Sequence, residues 1–96
     1  MEVQQLRHLL AAVNYGSFVK AADACHISQS GISRSITNLE QRLGVPLLVR
    51  SGAGVAPTVY GLSVLHRANL ILNEVERSVQ EVRAIEEGRT GASKSA

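Results

Sequence analysis

The sequence has no tryptophan, one phenylalanine and two tyrosines, so aromatic residues make up 3% of its 96 positions. A protein that grips single-stranded nucleic acid on a stacking platform needs more ring faces than this. Cysteine occurs once, at Cys25. A single thiol closes no disulfide within the chain and supplies no zinc set. A reducing, cytoplasmic setting is the simple reading. No apolar run approaches the roughly 20 residues of a membrane span, and residues 1–20 lack the apolar core of a signal peptide. No membrane partner is expected. Catalytic patterns are missing too: no Ser–His–acid set, no paired carboxylates in an apolar context and no metal cluster can be assembled, so an enzyme is not expected.

What is present is ordinary for a globular protein, at 45% hydrophobic and 19% charged residues. A domain of this length buries only roughly 60–65% of its unfolded surface, and a partner subunit is a common remedy for the marginal stability that follows. The formal net charge is +2 and the isoelectric point about 9.1. Its distribution is more telling. Residues 1–61 carry Arg7, Lys20, Arg34, Arg42 and Arg50 against Glu2, Asp23 and Glu40, whereas residues 62–96 carry equal numbers of each sign. A basic first part joined to a balanced second part fits a nucleic-acid reader attached to something else.

Leu6, Leu9, Leu10 and Val13 recur at helical spacing and predict a helix over about Val3–Tyr15. Gly16 suits a left-handed cap. Ser17 suits the start of a short second helix with Phe18, Ala21, Ala22 and Cys25 on one face. Ser28 would cap a third helix, about Gln29–Leu43, with Ile32, Ile36, Leu39 and Leu43 inward and with Gly44 and Pro46 ending it. Leu47–Arg50 and Val55–Ala56 are β-prone and flank "SGAG", which reads as a small hairpin. A phosphate-binding loop would need a helix directly after its glycines, and here a β-prone run and Pro57 intervene.

Thr58 would cap a last helix over about Val59–Glu87, roughly 43 Å long and longer than a small domain is wide. Leu65, Ala68, Leu72, Val75, Val79 and Val82 alternate three and four apart, and Val64, Ile71 and Ile85 widen the stripe. The end near Leu62 and Leu65 is expected to serve both the domain core and a partner. Beyond Leu72 only a partner helix covers it, and a symmetric homodimer is the commonest solution. Residues 88–96 are Gly/Ser-rich and read as a flexible tail.

Ala22, Cys25, Ile27, Ile32 and Ile36 together make a helix-turn-helix pattern, with Ile27 plugging the turn. That geometry leaves Ser28, Gln29, Ser30, Ser33 and Arg34 protruding, with Ser35 beside them. Short polar side chains suit a major groove, where Gln pairs with adenine and Arg with guanine. Hydroxyls and helix N-terminal amides suit phosphates. Lys20 is a further candidate phosphate contact.

These residues resemble the N-terminal part of LysR-type transcriptional regulators. The matching positions are Leu6, Arg7, Phe18, Ala21, Ala22, the run "HISQSGISRSITNLEQRLGVPLLVR" at 26–50, and Thr58 with Gly61 in a T-x-x-G pattern. The resemblance covers about residues 1–88. It implies a mainly α, winged helix-turn-helix domain over residues 1–58, with three helices and the 47–57 hairpin as wing. A long linker helix for dimerisation follows over residues 59–87. It implies homodimers on double-stranded promoter DNA, at interrupted palindromes with a T and an A flanking a variable centre. Gln29, Ser30, Ser33 and Arg34 would then meet bases or nearby phosphates, and Arg50, Ser51 and Gly52 the backbone or minor groove.

The chain departs from the family pattern at Ser30, often Pro; at Cys25, usually Leu; and at Leu48, usually Phe. The wing tip is the larger departure, because members commonly carry Arg or Lys near Ala53. A neutral tip weakens attraction to phosphates and flattens the salt dependence. Members also continue into a ligand-binding domain of two α/β halves, so no small-molecule ligand or cofactor is expected on this chain.

Plainer readings stand beside these. Cys25 is expected to be a buried core thiol, and with His26 alone beside it, no metal ligand. His8 and His66 are expected at a surface or interface. A second function fits the same stripe: an interaction module that forms inactive heterodimers through the last helix. Only DNA reading needs the Gln29–Arg34 face.

Overall fold

The computed structural model describes residues 1–95, with side chains described through Gly88. Helix α1 (Val3–Tyr15) starts where the Glu2 amide donates to Gln5 Oε1 at 2.8 Å, and ends where Gly16 turns left-handed at φ 63°. Ser17 then starts α2 (Phe18–Cys25), its hydroxyl accepting from the Lys20 amide at 3.2 Å. The chain reverses at His26, whose φ of 59° makes it the sole non-glycine with positive φ among the described residues. Ser28 starts α3 (Gln29–Leu43) by accepting from the Gly31 amide at 3.0 Å. Gly44 ends it at φ 75°.

Strands β1 (Leu48–Ser51) and β2 (Gly54–Pro57) pair antiparallel, with Leu48 opposite Pro57 and Ser51 opposite Gly54. Pairing begins one residue later than the sequence suggests, because Leu47 serves the core instead. Its side chain is 0% exposed, its amide donates to Glu40 Oε2 at 2.7 Å, and its carbonyl accepts from the Thr58 amide at 2.9 Å. The core joins Leu6 and Leu9 of α1, Phe18 and Ala21 of α2, Ile32, Ile36 and Leu39 of α3, Leu47, and Leu65 and Ala68 of the last helix.

That last helix, α4 (Val59–Ser95), continues past Glu87. Residues 88–95 are therefore helical rather than a flexible tail, and Ala96 lies outside the described residues. Gly88 and Gly91 cost only about 1 kcal/mol each in a helix, and no proline follows to stop it. The molecule measures 63 × 25 × 20 Å. Among the described residues, no helix is long and apolar enough to cross a membrane.

The T-x-x-G stretch has a steric origin. Thr58 Oγ1 donates to the Pro46 carbonyl at 2.7 Å and accepts from the Gly61 amide at 3.0 Å. Gly61 lies against the wing strand so closely that a Cβ there would overlap the Leu47 carbonyl oxygen. The start of α4 is thereby locked to the wing.

Four packing expectations need correction. Ile27 is 36% exposed and rests on the first turn of α3 beside Gly31, outside the core. Leu43, the last residue of α3, is 39% exposed. Cys25 is half-buried rather than buried, because it faces an open cleft between α1, α2 and Leu72. Leu62 is exposed, since Gly61 and Leu65 take the inward positions on that turn.

Candidate nucleic-acid interface

Helix α3 spends Ile32, Ile36 and Leu39 on the core. Successive residues step about 100° around the axis, so Ser30, Arg34 and Thr37 share the opposite face. All three are exposed. Ser33 and Ser35 lie on the two flanks between these faces, and each hydroxyl has a scaffold partner. On one side, Arg50 Nη2 reaches from β1 and donates to Ser33 Oγ at 2.9 Å, while the guanidinium carbon sits 3.7 Å from the centre of the Phe18 ring. On the other side, Ser35 Oγ lies 2.7 Å from His8 Nδ1 on α1. Arg34 projects between them without a partner among the described residues.

The predicted site residues therefore divide. Gln29, Ser30 and Arg34 are exposed on the protruding end of α3, and Gln29 shares a shallow hollow with Ser17, Val19, Arg50 and Ser51. Lys20 is exposed in the first turn of α2. Ser28 spends its hydroxyl on the helix cap and lies 3.2 Å from Ser30 Oγ. Ser33 and Ser35 are half-buried and committed to Arg50 and His8. Ser35 thus faces α1, away from the outer face. Arg50 braces three elements, and its bond to Ser33 uses one of the five N–H donors of a guanidinium. Ser51 holds the wing turn by accepting from the Ala53 amide at 3.2 Å, and nothing crowds Gly52.

The wing is docked rather than free. The Val55 amide donates to the Gly16 carbonyl at 3.2 Å, and Gly54, at φ 120°, brings the strand so near that a Cβ would sit 2.7 Å from that oxygen. Glu40 anchors the other end by accepting from the Leu47 and Leu48 amides. Sequence reasoning missed Thr37 on the outer face, although it lies three residues beyond Arg34 and four beyond Ser33. It also missed Glu40 and His8 as braces, for which no spacing signal exists.

Neither α2 nor α3 has an acidic residue in its first turn, so the positive ends of both helices stay open to anions. Burial lowers the pKa of His8 below its ordinary 6.5, which favours the neutral ring. Of the predicted dimer residues, Leu65 at 8% exposure and Ala68 at 0% belong to the chain's own core. Leu72 and Val75 are half-buried, and Val79 and Val82 are exposed at 39% and 63%. Among the described residues, no group of three His, Cys, Asp or Glu could hold a metal ion.

Comparison with known proteins agrees with this geometry. The family model of bacterial regulatory helix-turn-helix proteins, lysR family, matches residues 3–62. The "HTH-type transcriptional regulator TfdS" of Cupriavidus pinatubonensis is 42% identical over 91 residues, 95% of this chain and 31% of that protein. The "Small neutral protease regulatory protein" of Streptomyces coelicolor is 39% identical over 88 residues, 92% of this chain and 27% of that protein. The chain thus spans under a third of the length of these relatives. Among solved structures, the BenM_DBD/catB site 1 DNA complex is similar at a TM-score of 0.85 and 39% identity, covering 88% of this chain and 96% of that one. The chain belongs to the lysR family of bacterial regulatory helix-turn-helix proteins.

Proposed function

We propose that this chain is the DNA-binding and dimerisation part of a transcriptional regulator, acting in the cytoplasm on promoter DNA and without a catalytic step. The carrying observation is the outer face of α3. Gln29, Ser30, Arg34 and Thr37 are exposed on a helix held rigidly from both flanks, in a fold whose relative was solved as a DNA complex. Laid in a major groove, Gln29 and Arg34 read base edges. The hydroxyls, Lys20 and the wing meet phosphates.

Pairing through α4 supports the same reading. Exposure rises along its apolar stripe from 8% at Leu65 to 63% at Val82 and 54% at Ile85. Each such residue gains roughly 1.5–3 kcal/mol when covered. A second α4 offers the matching stripe, and two α3 helices in one dimer suit the two halves of an interrupted palindrome.

A gel-shift titration at two salt concentrations tests this, using an interrupted palindrome with flanking T and A and a scrambled duplex. A hundredfold preference that persists at the higher salt is the expected result. Equal binding that vanishes with salt would leave only phosphate attraction and favour the heterodimer-forming interaction module. Replacing Gln29 and Arg34 with Ala separates the two readings, because it should remove specific binding and leave dimers intact.

A further inference from the structure

On the DNA-binding reading above, we infer that His8 is a positioning residue for the recognition helix, acting through Ser35 to set the rotation of α3 about its axis and hence the reach of Arg34. Helix α3 is held in two different ways. The contacts of Ile32, Ile36 and Leu39 are apolar and nondirectional, so they resist lifting of the helix more than turning of it. Turning is opposed by directional bonds on the two flanks. On the wing side Arg50 holds Ser33 and Glu40 accepts from the Leu47 and Leu48 amides, whereas on the α1 side His8 holds Ser35.

Ser35 immediately follows Arg34, so a rotation that stretches the His8–Ser35 bond of 2.7 Å swings the Arg34 guanidinium across the outer face. A guanidinium that pairs bidentately with a base tolerates little misplacement. His8 itself lies at the α1 flank of α3 and not on that face, so its route to the DNA runs through Ser35.

The neutral ring fits this task. With an unprotonated Nδ1 it accepts from the Ser35 hydroxyl. Protonation makes both ring nitrogens donors, so the bond must reverse and Ser35 must accept. The cleft that His8 lines also holds Arg7, Tyr15 and Cys25 but no carboxylate, and the residue before Ser35 is Arg34. None of these neighbours carries a negative charge to balance the added proton, and burial already disfavours it.

The test uses the full chain and a duplex that the wild type enriches from a random pool, with its scrambled form as control. Failure of the wild type to enrich any duplex would sink the DNA reading itself, before any variant is made. Given enrichment, His8→Phe keeps the bulk and loses the bond, Ser35→Ala removes the other partner, and His8→Asn places an amide where Nδ1 stood. The expected result is about a fivefold loss of specific affinity for His8→Phe and for Ser35→Ala. That is about 1 kcal/mol. The double variant should lose no more than either single one. His8→Asn should bind within twofold of wild type. Scrambled-duplex affinity and circular dichroism should stay unchanged throughout.

Acidification gives an independent readout. As pH falls below the ordinary 6.5 and through the lowered folded pKa of His8, the wild-type specificity ratio should fall, while that of His8→Asn stays flat. Additive losses, equal losses on specific and scrambled DNA, or a wild-type-like His8→Phe would each overturn the inference.

Discussion

Arg50 Nη2 donates to the Ser33 hydroxyl at 2.9 Å while its guanidinium covers the Phe18 ring at 3.7 Å, so one side chain ties the wing to both helices of the helix-turn-helix. Lysine keeps the charge but has neither the planar face nor the fork. Arg50→Lys should therefore lower stability by about 1 kcal/mol, the scale of an exposed cation–π contact, measured by thermal denaturation. Arg50→Ala should lower it further and weaken DNA binding, because the wing and Ser33 both lose their brace.

Two glycines of α4 should respond in opposite directions to the same change. Gly61→Ala drives a methyl group into the Leu47 carbonyl and should destabilise by at least the roughly 1–3 kcal/mol of an overpacked core. Gly88→Ala meets nothing within 4 Å and should stabilise the helix by about 0.5–1 kcal/mol. Urea denaturation of the two variants reads both signs.

Stability should fall modestly on acidification through the histidine range, and the sign follows from His8. Its folded pKa lies below the ordinary 6.5, so the unfolded chain takes up the proton first as pH drops. The contribution is complete well above 6.5, declines as pH falls through 6.5 towards the folded value, and levels off below it. Melting temperatures of wild type and His8→Asn at pH 7.5 and 5.5 should show a smaller fall in the variant.

Charge placed on the two halves of α4 should separate folding from assembly. Val82→Asp and Ile85→Asp alter exposed positions and should yield folded monomers in sedimentation equilibrium. Ala68→Asp puts a carboxylate into a site of 0% exposure and should unfold the domain.

The neutral wing tip gives a gain-of-contact prediction. Ala53 is exposed at the turn, and on the proposed DNA-binding reading Ala53→Arg adds a cation to the wing tip that faces the duplex. DNA affinity should rise, and the slope of log affinity against log salt should steepen by about 0.9 if one more phosphate is neutralised.

The helices, their caps and the hairpin were legible because each has a local cause. Periodicity marks the apolar faces, Ser17 and Ser28 accept the first free amides, and Gly16 and Gly44 take left-handed turns. The same arithmetic put Ser30 and Arg34 on the outer face of α3, but it left out Thr37 and took in Ser33 and Ser35, which lie on the flanks. What could not be read were contacts between distant residues. His8 meets Ser35 across 27 positions, and Arg50 meets Ser33 across 17, with nothing in either local pattern to announce it. The division of the α4 stripe was read only in part: the end near Leu65 was expected to serve both the core and a partner. A heptad shows which residues share a face but not how far the domain underneath extends, so Ala68 read as partner-facing when it is buried in the core.

The lock between Gly61 and the Leu47 carbonyl, together with Thr58 on Pro46, makes α4 a stiff handle rather than a tether. In the proposed dimer, sliding each handle by one residue displaces it by about 1.5 Å. In that dimer the register of the helix pair sets the separation of the two readers, so the Val75–Ile85 stripe, and not only the residues facing DNA, bears on the gap that the pair can span.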